Sequence, residues 1–245
     1  MPSPTAVELL WGIQQRPKRG PKPSLSLEGI VAEAIALADA DGLASLSMQR
    51  LAERLGFTKM SLYRYVPGKA ELTALMLDAA MGTPPDTAAI QADSVEQRWR
   101  IGLRRWAETI FEKYTAHPWA LELALGARPF GPNELAWMEA ALVVLADTGL
   151  AGAERLDTIV LLNGHVRSLA QQTMTMGDEG LEQELMRELG AVLAAAGDRY
   201  PETIAAFAEQ ATVGQSGSGA NRDNALNFGI DRILDGLAVL IDGRG

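Results

Sequence analysis

The chain has 245 residues, of which 47% are hydrophobic and 22% are charged, and this composition is typical of a folded globular protein. It has no cysteine, which excludes disulfides, thiolate catalysis and Cys-based metal sites, and its two histidines, His117 and His165, argue against a multi-His metal site in one chain. The chain has no apolar run long enough to span a membrane and no secretory signal, so we expect a cytoplasmic protein that does not enter a membrane.

The net charge of −9 is distributed unevenly. Residues 1–70 contain nine Lys/Arg and six Asp/Glu, whereas residues 71–245 hold the other 13 basic and 25 acidic residues. A basic N-terminal part on an acidic body indicates that one end of the protein meets nucleic acid.

The segment 1–23 is rich in proline and in Lys/Arg, notably in the run Arg16-Pro17-Lys18-Arg19-Gly20-Pro21-Lys22-Pro23. Prolines remove backbone donors and restrict the residues before them, so this run cannot be helical and we expect a flexible basic arm. Such an arm can insert Arg16, Lys18 and Arg19 into the minor groove of DNA. The alternative is a disordered tail that keeps the protein soluble.

Apolar residues recur with a period near 3.6 along the rest of the chain, which predicts an all-α protein. Before a break at residues 82–93, the first three predicted helices each follow a Ser or Thr that can cap them, namely Ser26, Ser47 and Thr58. Each of these helices is followed by glycine or proline. The four predicted helices of this N-terminal domain, residues 24–81, are 27–40, 48–55, 59–65 and 69–81.

Helices 48–55 and 59–65 are joined by a tight turn at Gly56, and Leu51, Ala52 and Leu62 are predicted to face inward. This is the layout of a helix-turn-helix, in which the N-terminal residues of the second helix contact base edges in the major groove. The alternative is a helical corner whose charges are simply solvated.

Donors, acceptors and an apolar side chain at the start of the second helix suit contacts to base edges. Aromatic and cationic residues farther along suit contacts to phosphate or sugar, which set the register of the protein on DNA. For Tyr63, a partly buried core position is the alternative. The predicted base-reading residues are Gln49, Lys59, Met60 and Ser61, and the predicted backbone-contacting residues are Tyr63, Arg64, Tyr65 and Lys69.

Residues 26–81 resemble the three-helix DNA-binding domain of the TetR family of repressors. The resemblance rests on the joint pattern Leu51-Ala52-x-x-Leu55-Gly56-Phe57-x-x-x-Ser61-Leu62-Tyr63-x-Tyr65-Val66-x-x-Lys69-x-x-Leu72. It implies the same division into base-reading and backbone-holding residues. Met60 is bulkier than the residue that many relatives carry, and Arg64-Tyr65 replaces a more familiar aromatic-His or His-His pair, so the operator sequence stays open.

Residues 94–245 form a second predicted domain, with helical patterns over 94–116, 118–126, 132–148, 152–176, 180–196, 201–212 and 222–241. His117-Pro118-Trp119 and the run from Phe228 to Leu237 resemble the effector-binding domain of one TetR branch. The resemblance implies that the last helix and helix 152–176 form a four-helix bundle across a two-fold axis. The alternative is an ordinary terminal core helix. The predicted dimer contacts are Phe228, Ile230, Ile233, Leu234, Leu237 and Ile241.

Four of the five tryptophans lie between residues 99 and 137, and with other apolar residues they can line a cavity between helices. Asn163, Arg167 and Gln171 recur every four residues, so they share a helix face that is either pocket or dimer seam. The alternative is that the tryptophans are plain core and that His117 caps a turn. The predicted ligand-binding residues are Trp99, Trp106, Phe111, His117, Trp119, Trp137, Asn163, Arg167, Gln171 and Met174.

The second domain carries no Ser-His-acid order, P-loop or dinucleotide-binding glycine turn, so we expect neither an enzyme nor a cofactor. The sequence predicts a ligand-responsive transcriptional repressor that binds a palindromic double-stranded DNA operator as a homodimer and releases it when a small-molecule effector binds. The alternatives are an activator, a small-molecule-binding helical protein without regulated DNA release, and an architectural DNA binder with a filled core.

Overall fold

The computed structural model describes residues 3–13, 25–87, 89–176, 179–213 and 218–244, and its regular elements in these ranges are all helical. The all-α class predicted from the apolar period is therefore confirmed. Two short 3₁₀ turns, Leu43–Ser45 and Gly197–Arg199, accompany the helices. The helices are α1 Ala6–Leu10, α2 Leu27–Asp41, α3 Met48–Leu55, α4 Lys59–Tyr63, α5 Lys69–Met81, α6 Val95–Ala116, α7 Ala120–Leu123, α8 Pro132–Val144, α9 Gly152–Met176, α10 Glu179–Ala196, α11 Pro201–Val213 and α12 Ser218–Asp242.

The predicted N-caps of α2, α3 and α4 are confirmed. The side-chain oxygens of Ser26, Ser47 and Thr58 each accept a hydrogen bond from the backbone N–H three residues later. Gly56 ends α3 in the left-handed conformation, with φ 74° and ψ 26°, which a side chain would disfavour. Helix α4 ends at Tyr63, two residues earlier than predicted, because the N–H groups of residues 65 and 66 both turn back to the carbonyl of Leu62.

Helix α1 corrects the prediction that residues 1–23 form a flexible arm. Thr5 and Glu8 form a capping box at its start, and the helix packs against α5. Beyond the helix, the indole N–H of Trp11 donates to the carbonyl of Phe130 at 3.1 Å. A five-residue helix is too short to show an apolar period, which is why the sequence did not reveal it. The predicted arm contacts Arg16, Lys18 and Arg19 lie outside the described residues.

Helices α6–α12 form the C-terminal part of the protein, which we call the body. Within it α6 and α9 pack along each other, and α8 and α12 pack against this pair. Helix α12 approaches α9 so closely at Gly229 that a Cβ atom there would overlap the His165 ring. The Nε2 atom of that ring lies 3.2 Å from the carbonyl oxygen of Leu226. In the described residues no helix is both long and apolar enough to cross a membrane.

Candidate functional site

The predicted base-reading residues lie on α3 and α4, and each is exposed or half-buried. Leu62 and Val66 are fully buried and fix the orientation of α4. Lys59 and Arg64 are exposed, and 72% of the Met60 surface is accessible. Ser61 and Tyr65 are half-buried. The N-terminal end of α4 is thus free to enter a groove of DNA.

Positive charge at α4 is available to an external partner. Arg50 and Arg54 of α3 are engaged in ion pairs with Asp41 and Glu33 of α2, at 2.7 and 2.5 Å. Among the described residues, in contrast, Lys59 and Arg64 form no ion pair. The ammonium nitrogen of Lys59 lies 5.6 Å from the centre of the Tyr63 ring, so the half-buried tyrosine forms a cation–π contact with the lysine.

Two other predicted DNA contacts have partners inside the protein. The Nζ atom of Lys69 donates to the carbonyl of Leu46 at 2.9 Å, which braces α5 against the segment that leads into α3. The side-chain amide of Gln49 donates to Glu53 at 2.6 Å. Each internal hydrogen bond uses one N–H of the side chain, so both exposed side chains keep further donors for DNA.

The tryptophans predicted to line a ligand cavity are core residues. Trp106, Trp119 and Trp137 are each at most 3% exposed. The indole N–H of Trp106 donates to the carbonyl of Trp137 at 2.8 Å, and that of Trp137 donates to the carbonyl of Gly82 at 2.9 Å. These tryptophans pack in the core of the ligand-free protein, and their ligand-lining role stays a prediction. Trp99 is buried too, but it borders a cleft of about 220 Å³ at the end of α12.

His117 and Trp119 join the body to the DNA-reading part. The Nδ1 atom of His117 and the Nε1 atom of Trp119 lie 2.8 and 2.6 Å from the same Oδ1 atom of Asp39, near the end of α2. His117 and Trp119 therefore form an interdomain contact, and their ligand-binding role stays a prediction.

A second joint connects α5 to α8. The carboxylate of Asp78 is buried and accepts a hydrogen bond from the backbone N–H of Glu134 at 3.1 Å, while Asn133 donates to the Asp78 carbonyl at 2.9 Å. Burial raises the pKa of the Asp78 carboxyl, and the hydrogen bond from the Glu134 backbone opposes this effect. Together with Trp137, Asp78 holds the C-terminal end of α5 on the body.

A group of polar side chains lies inside the body where α6, α8 and α9 meet; we call it the inner polar cluster. Arg128 forms a two-pronged ion pair with Glu134, at 2.7 and 2.5 Å. Burial raises the pKa of the Tyr114 hydroxyl, and the positive charges of Arg167 and Arg128 and a hydrogen bond with Asn163 act against this rise. The cluster consists of Tyr114, Arg128, Glu134, Asn163 and Arg167.

The inner polar cluster has unused hydrogen-bonding capacity. The Nε atoms of Arg128 and Arg167 and the Oδ1 atom of Asn163 are buried and find no partner in the described part of the chain. A buried group left without any partner raises the free energy of the folded state by about 1–3 kcal/mol, so these atoms are candidates for contacts to a bound molecule. Asn163 and Arg167 were predicted as ligand-binding residues, and the fold brings them together.

The other cluster members carried no local signal in the sequence. Arg128 lies in a loop, Tyr114 is one of several apolar residues of α6, and only folding brings them to α9. Among the remaining predicted ligand residues, Phe111 is half-buried on α6, Gln171 is exposed and Met174 is 43% exposed on α9.

Helix α12 divides the predicted dimer contacts between two faces. Ile230, Leu234 and Leu237 are buried within the protomer, where this face of α12 covers α9 and α6, and this corrects their prediction as dimer contacts. Phe228 is 62% exposed, whereas Ile233 and Ile241 are half-buried.

The outward face of α12 meets an equally apolar face of α9. Val160 and Leu161 of α9 are 70% and 59% exposed, and Val239 and Leu240 of α12 are 74% and 43% exposed. A groove of about 530 Å³ runs between the two helices, and Leu161, Ile233 and Leu240 are among the residues that line it. Contiguous apolar surface of this kind is typical of an interaction site.

Comparison with known proteins places both parts of the chain in one family. Residues 30–76 match the profile of the bacterial regulatory proteins of the tetR family, and residues 93–241 match that of the tetracyclin repressor-like C-terminal domain. The HTH-type transcriptional repressor DrrR1 of Streptomyces coeruleorubidus is 36% identical over 251 residues, which cover 97% of this chain and 86% of the relative. An HTH-type transcriptional regulator of Saccharopolyspora erythraea is 34% identical over 146 residues, 59% of each chain.

Solved structures share the fold. Apo ActR of Streptomyces coelicolor superposes with a TM-score of 0.74 at 23% identity, covering 92% of this chain and 100% of that chain. The complex of ActR with actinorhodin gives a TM-score of 0.71 at 24% identity, with coverage of 90% and 99%. With the two family profiles and a repressor at 36% identity, these likenesses establish that the chain belongs to the TetR family of transcriptional regulators, as the helix-turn-helix pattern predicted.

Proposed function

We propose that the protein is a dimeric repressor that binds an inverted-repeat operator through α4 and releases it when a small molecule occupies the inner polar cluster. The observation that carries the proposal is the exposure of Lys59 and Met60 at the capped N-terminus of α4, whose opposite face is buried. In a helix-turn-helix this end of the second helix reaches the base edges.

The exposed residues of α4 have distinct roles in this proposal. Lys59 donates to the O6 and N7 atoms of guanine, Met60 contacts a thymine methyl group and Ser61 bonds to a neighbouring base. Tyr63, Arg64 and Tyr65 hold the phosphate backbone and set the register. Gln49 and Lys69 contribute the donors that their internal hydrogen bonds do not use.

Dimerisation supplies the two reading helices that an inverted repeat requires. Half-sites of such a repeat lie about 34–36 Å apart, one turn of DNA, or a multiple of that. The exposed faces of α9 and α12 can pair with the same faces of a second copy, because a two-fold interface uses one surface twice. Val160, Leu161, Val239 and Leu240 then become buried.

Effector control works through the contacts that hold the DNA-reading helices α2–α4, which we call the reader, to the body. The α5 helix, which follows the reader directly, is held to α8 by Asp78, and α2 is held to the body by Asp39. A ligand that favours a body conformation with shifted joints changes the separation of the two readers. Its differential affinity for the two states sets how far the equilibrium moves, typically about 1–3 kcal/mol.

The test is a selection of bound duplexes from a random DNA pool with the full-length protein. We expect an inverted-repeat sequence, bound at least about tenfold more weakly by a Lys59→Ala/Tyr63→Phe variant. Arg105→Ala is the matched control, since it removes an exposed positive charge from α6, away from the reader. If a folded dimer enriches no sequence, DNA reading by α4 is wrong.

A further inference from the structure

We propose that the inner polar cluster binds an organic anion and that Arg128 and Arg167 recognise its negative charge. This inference rests on the proposed function, because it names the chemical class of the effector. It starts from an imbalance of charge within the body.

The cluster contains two guanidinium groups and one carboxylate. Glu134 engages Arg128 with both oxygens, so it neutralises one of the two cations. Arg167 lies half-buried on the inner face of α9 and forms no ion pair within the residues that the structure describes. A positive charge held in such surroundings without a counterion is unfavourable, and an anion beside Arg167 removes the imbalance.

The unused hydrogen-bonding groups point to the same ligand class. The Nε–H groups of Arg128 and Arg167 are donors, and both are buried without an acceptor in the described residues. A carboxylate or phenolate oxygen accepts from guanidinium N–H groups in short, charge-assisted hydrogen bonds. A cationic group has no acceptor to offer here and would be repelled by the guanidinium charges.

The surroundings of the cluster suit a ring or chain attached to the anionic group. The guanidinium carbon of Arg128 lies 5.3 Å from the centre of the Phe130 ring, which is 49% exposed. Phe111 lies one turn before Tyr114 on α6, and Met174 lies two turns beyond Arg167 on α9, so each shares a helix face with a cluster member. These apolar side chains favour an organic anion over an inorganic one.

The test compares acids with their own amides, which have nearly the same shape and no charge. The pairs are benzoate and benzamide, 2-naphthoate and 2-naphthamide, and anthracene-2-carboxylate and anthracene-2-carboxamide, with inorganic phosphate as a further probe. Thermal shift and titration calorimetry on the full-length protein measure binding. We expect at least one acid to bind about tenfold or more tightly than its amide.

Variants of Arg167 assign the preference to the cluster. Arg167→Gln should weaken binding of the acid by about tenfold or more and leave binding of the amide unchanged, whereas Arg167→Lys should keep part of the preference. Arg155→Gln is the matched control, because Arg155 lies on the same helix and also has a buried Nε atom without a partner in the described residues. It lies twelve residues away, about 18 Å along the helix.

The proposal is overturned if no acid binds, if acids and amides bind equally, if phosphate binds as tightly as the acids, or if the acid preference survives Arg167→Gln in a folded protein. Operator binding, measured in parallel, separates this inference from the proposed function. An acid that binds at Arg167 without releasing DNA supports the inference and contradicts ligand-controlled release. If a neutral compound releases DNA equally well from wild type and from Arg167→Gln, ligand-controlled release is supported and an anionic effector at Arg167 is contradicted.

Discussion

The backbone N–H of Glu134 donates a hydrogen bond to the buried carboxylate of Asp78, with 3.1 Å between nitrogen and oxygen. The same Glu134 holds Arg128 with its own carboxylate. One residue therefore contacts both the C-terminal end of α5 and the inner polar cluster. An anion that competes with Glu134 for Arg128 acts directly at the start of α8, where α5 is attached.

Substitutions at Asp78 separate its hydrogen bond from its charge. Asp78→Ala leaves the N–H of Glu134 without an acceptor and should lower the free energy of unfolding by about 1–3 kcal/mol. Asp78→Asn keeps an oxygen for that N–H and removes a buried charge, so it should be neutral or stabilising at pH 7. Urea unfolding of the three proteins measures both effects. Equal destabilisation by Ala and Asn would contradict this role of the hydrogen bond.

The raised pKa of Asp78 also predicts how this difference changes with pH. The folded protein holds the proton more tightly than the unfolded chain, whose carboxyl has the ordinary value of 3.8. The contribution of this shift to the free energy of unfolding is therefore fully present below pH 3.8, and it is lost as the pH rises through the higher pKa of the folded protein. The stability of wild type relative to Asp78→Asn should fall over that interval, and a difference that stays constant with pH would contradict the raised pKa.

Helix α1 should be a locally stable unit whose loss has little effect on the rest of the protein. Thr5→Ala removes the side-chain cap and should destabilise α1 by about 0.5–2 kcal/mol. Hydrogen exchange of residues 8–11 should accelerate, whereas the cores of α6 and α9 keep their protection. Trp11→Phe, which removes the hydrogen bond to Phe130, should act in the same direction. Unchanged exchange in both variants would show that neither contact holds α1.

Local signals allowed most of the fold to be predicted, and long-range contacts explain what could not be. The caps Ser26, Ser47 and Thr58 act within three residues, so a short sequence window contains all that determines them. The core position of Trp137 depends on Gly82, far away in sequence, and nothing near residue 137 records it. The role of Arg128 could not be predicted either, because a loop residue has no periodic pattern that places it inside the protein, even though its partner Glu134 is only six residues away.

Helix α12 shows a different limit of sequence reasoning. Its apolar surface is wider than one covering layer needs, so the apolar period does not indicate which part covers the protomer and which part remains exposed. The packing of α9 and α6 decides this, with Ile230 and Leu234 inside and Phe228 and Val239 outside.

The basic arm should contribute to DNA affinity through charge. A triple variant, Arg16→Ala/Lys18→Ala/Arg19→Ala, keeps α1 in place, whereas deletion of residues 1–22 would remove both. If the three cations neutralise phosphates, the slope of log K against log salt should become shallower by about 0.9 for each phosphate that the variant no longer neutralises. Titration of the operator at several salt concentrations measures this slope. An unchanged slope would mean that the arm makes no ionic contact with DNA.

The exposed face shared by α9 and α12 should be the dimer interface. Val160→Asp or Val239→Asp places a charge in the centre of this apolar face and should produce monomers, because an unpaired buried carboxylate strongly disfavours association. Light scattering after gel filtration measures the mass, and circular dichroism checks the fold. Leu135→Asp is the matched control, since Leu135 is a 40% exposed apolar residue on α8.

Monomers should also bind an inverted repeat much more weakly than wild type, as each would engage a single half-site. Folded dimers in both variants would place the interface elsewhere.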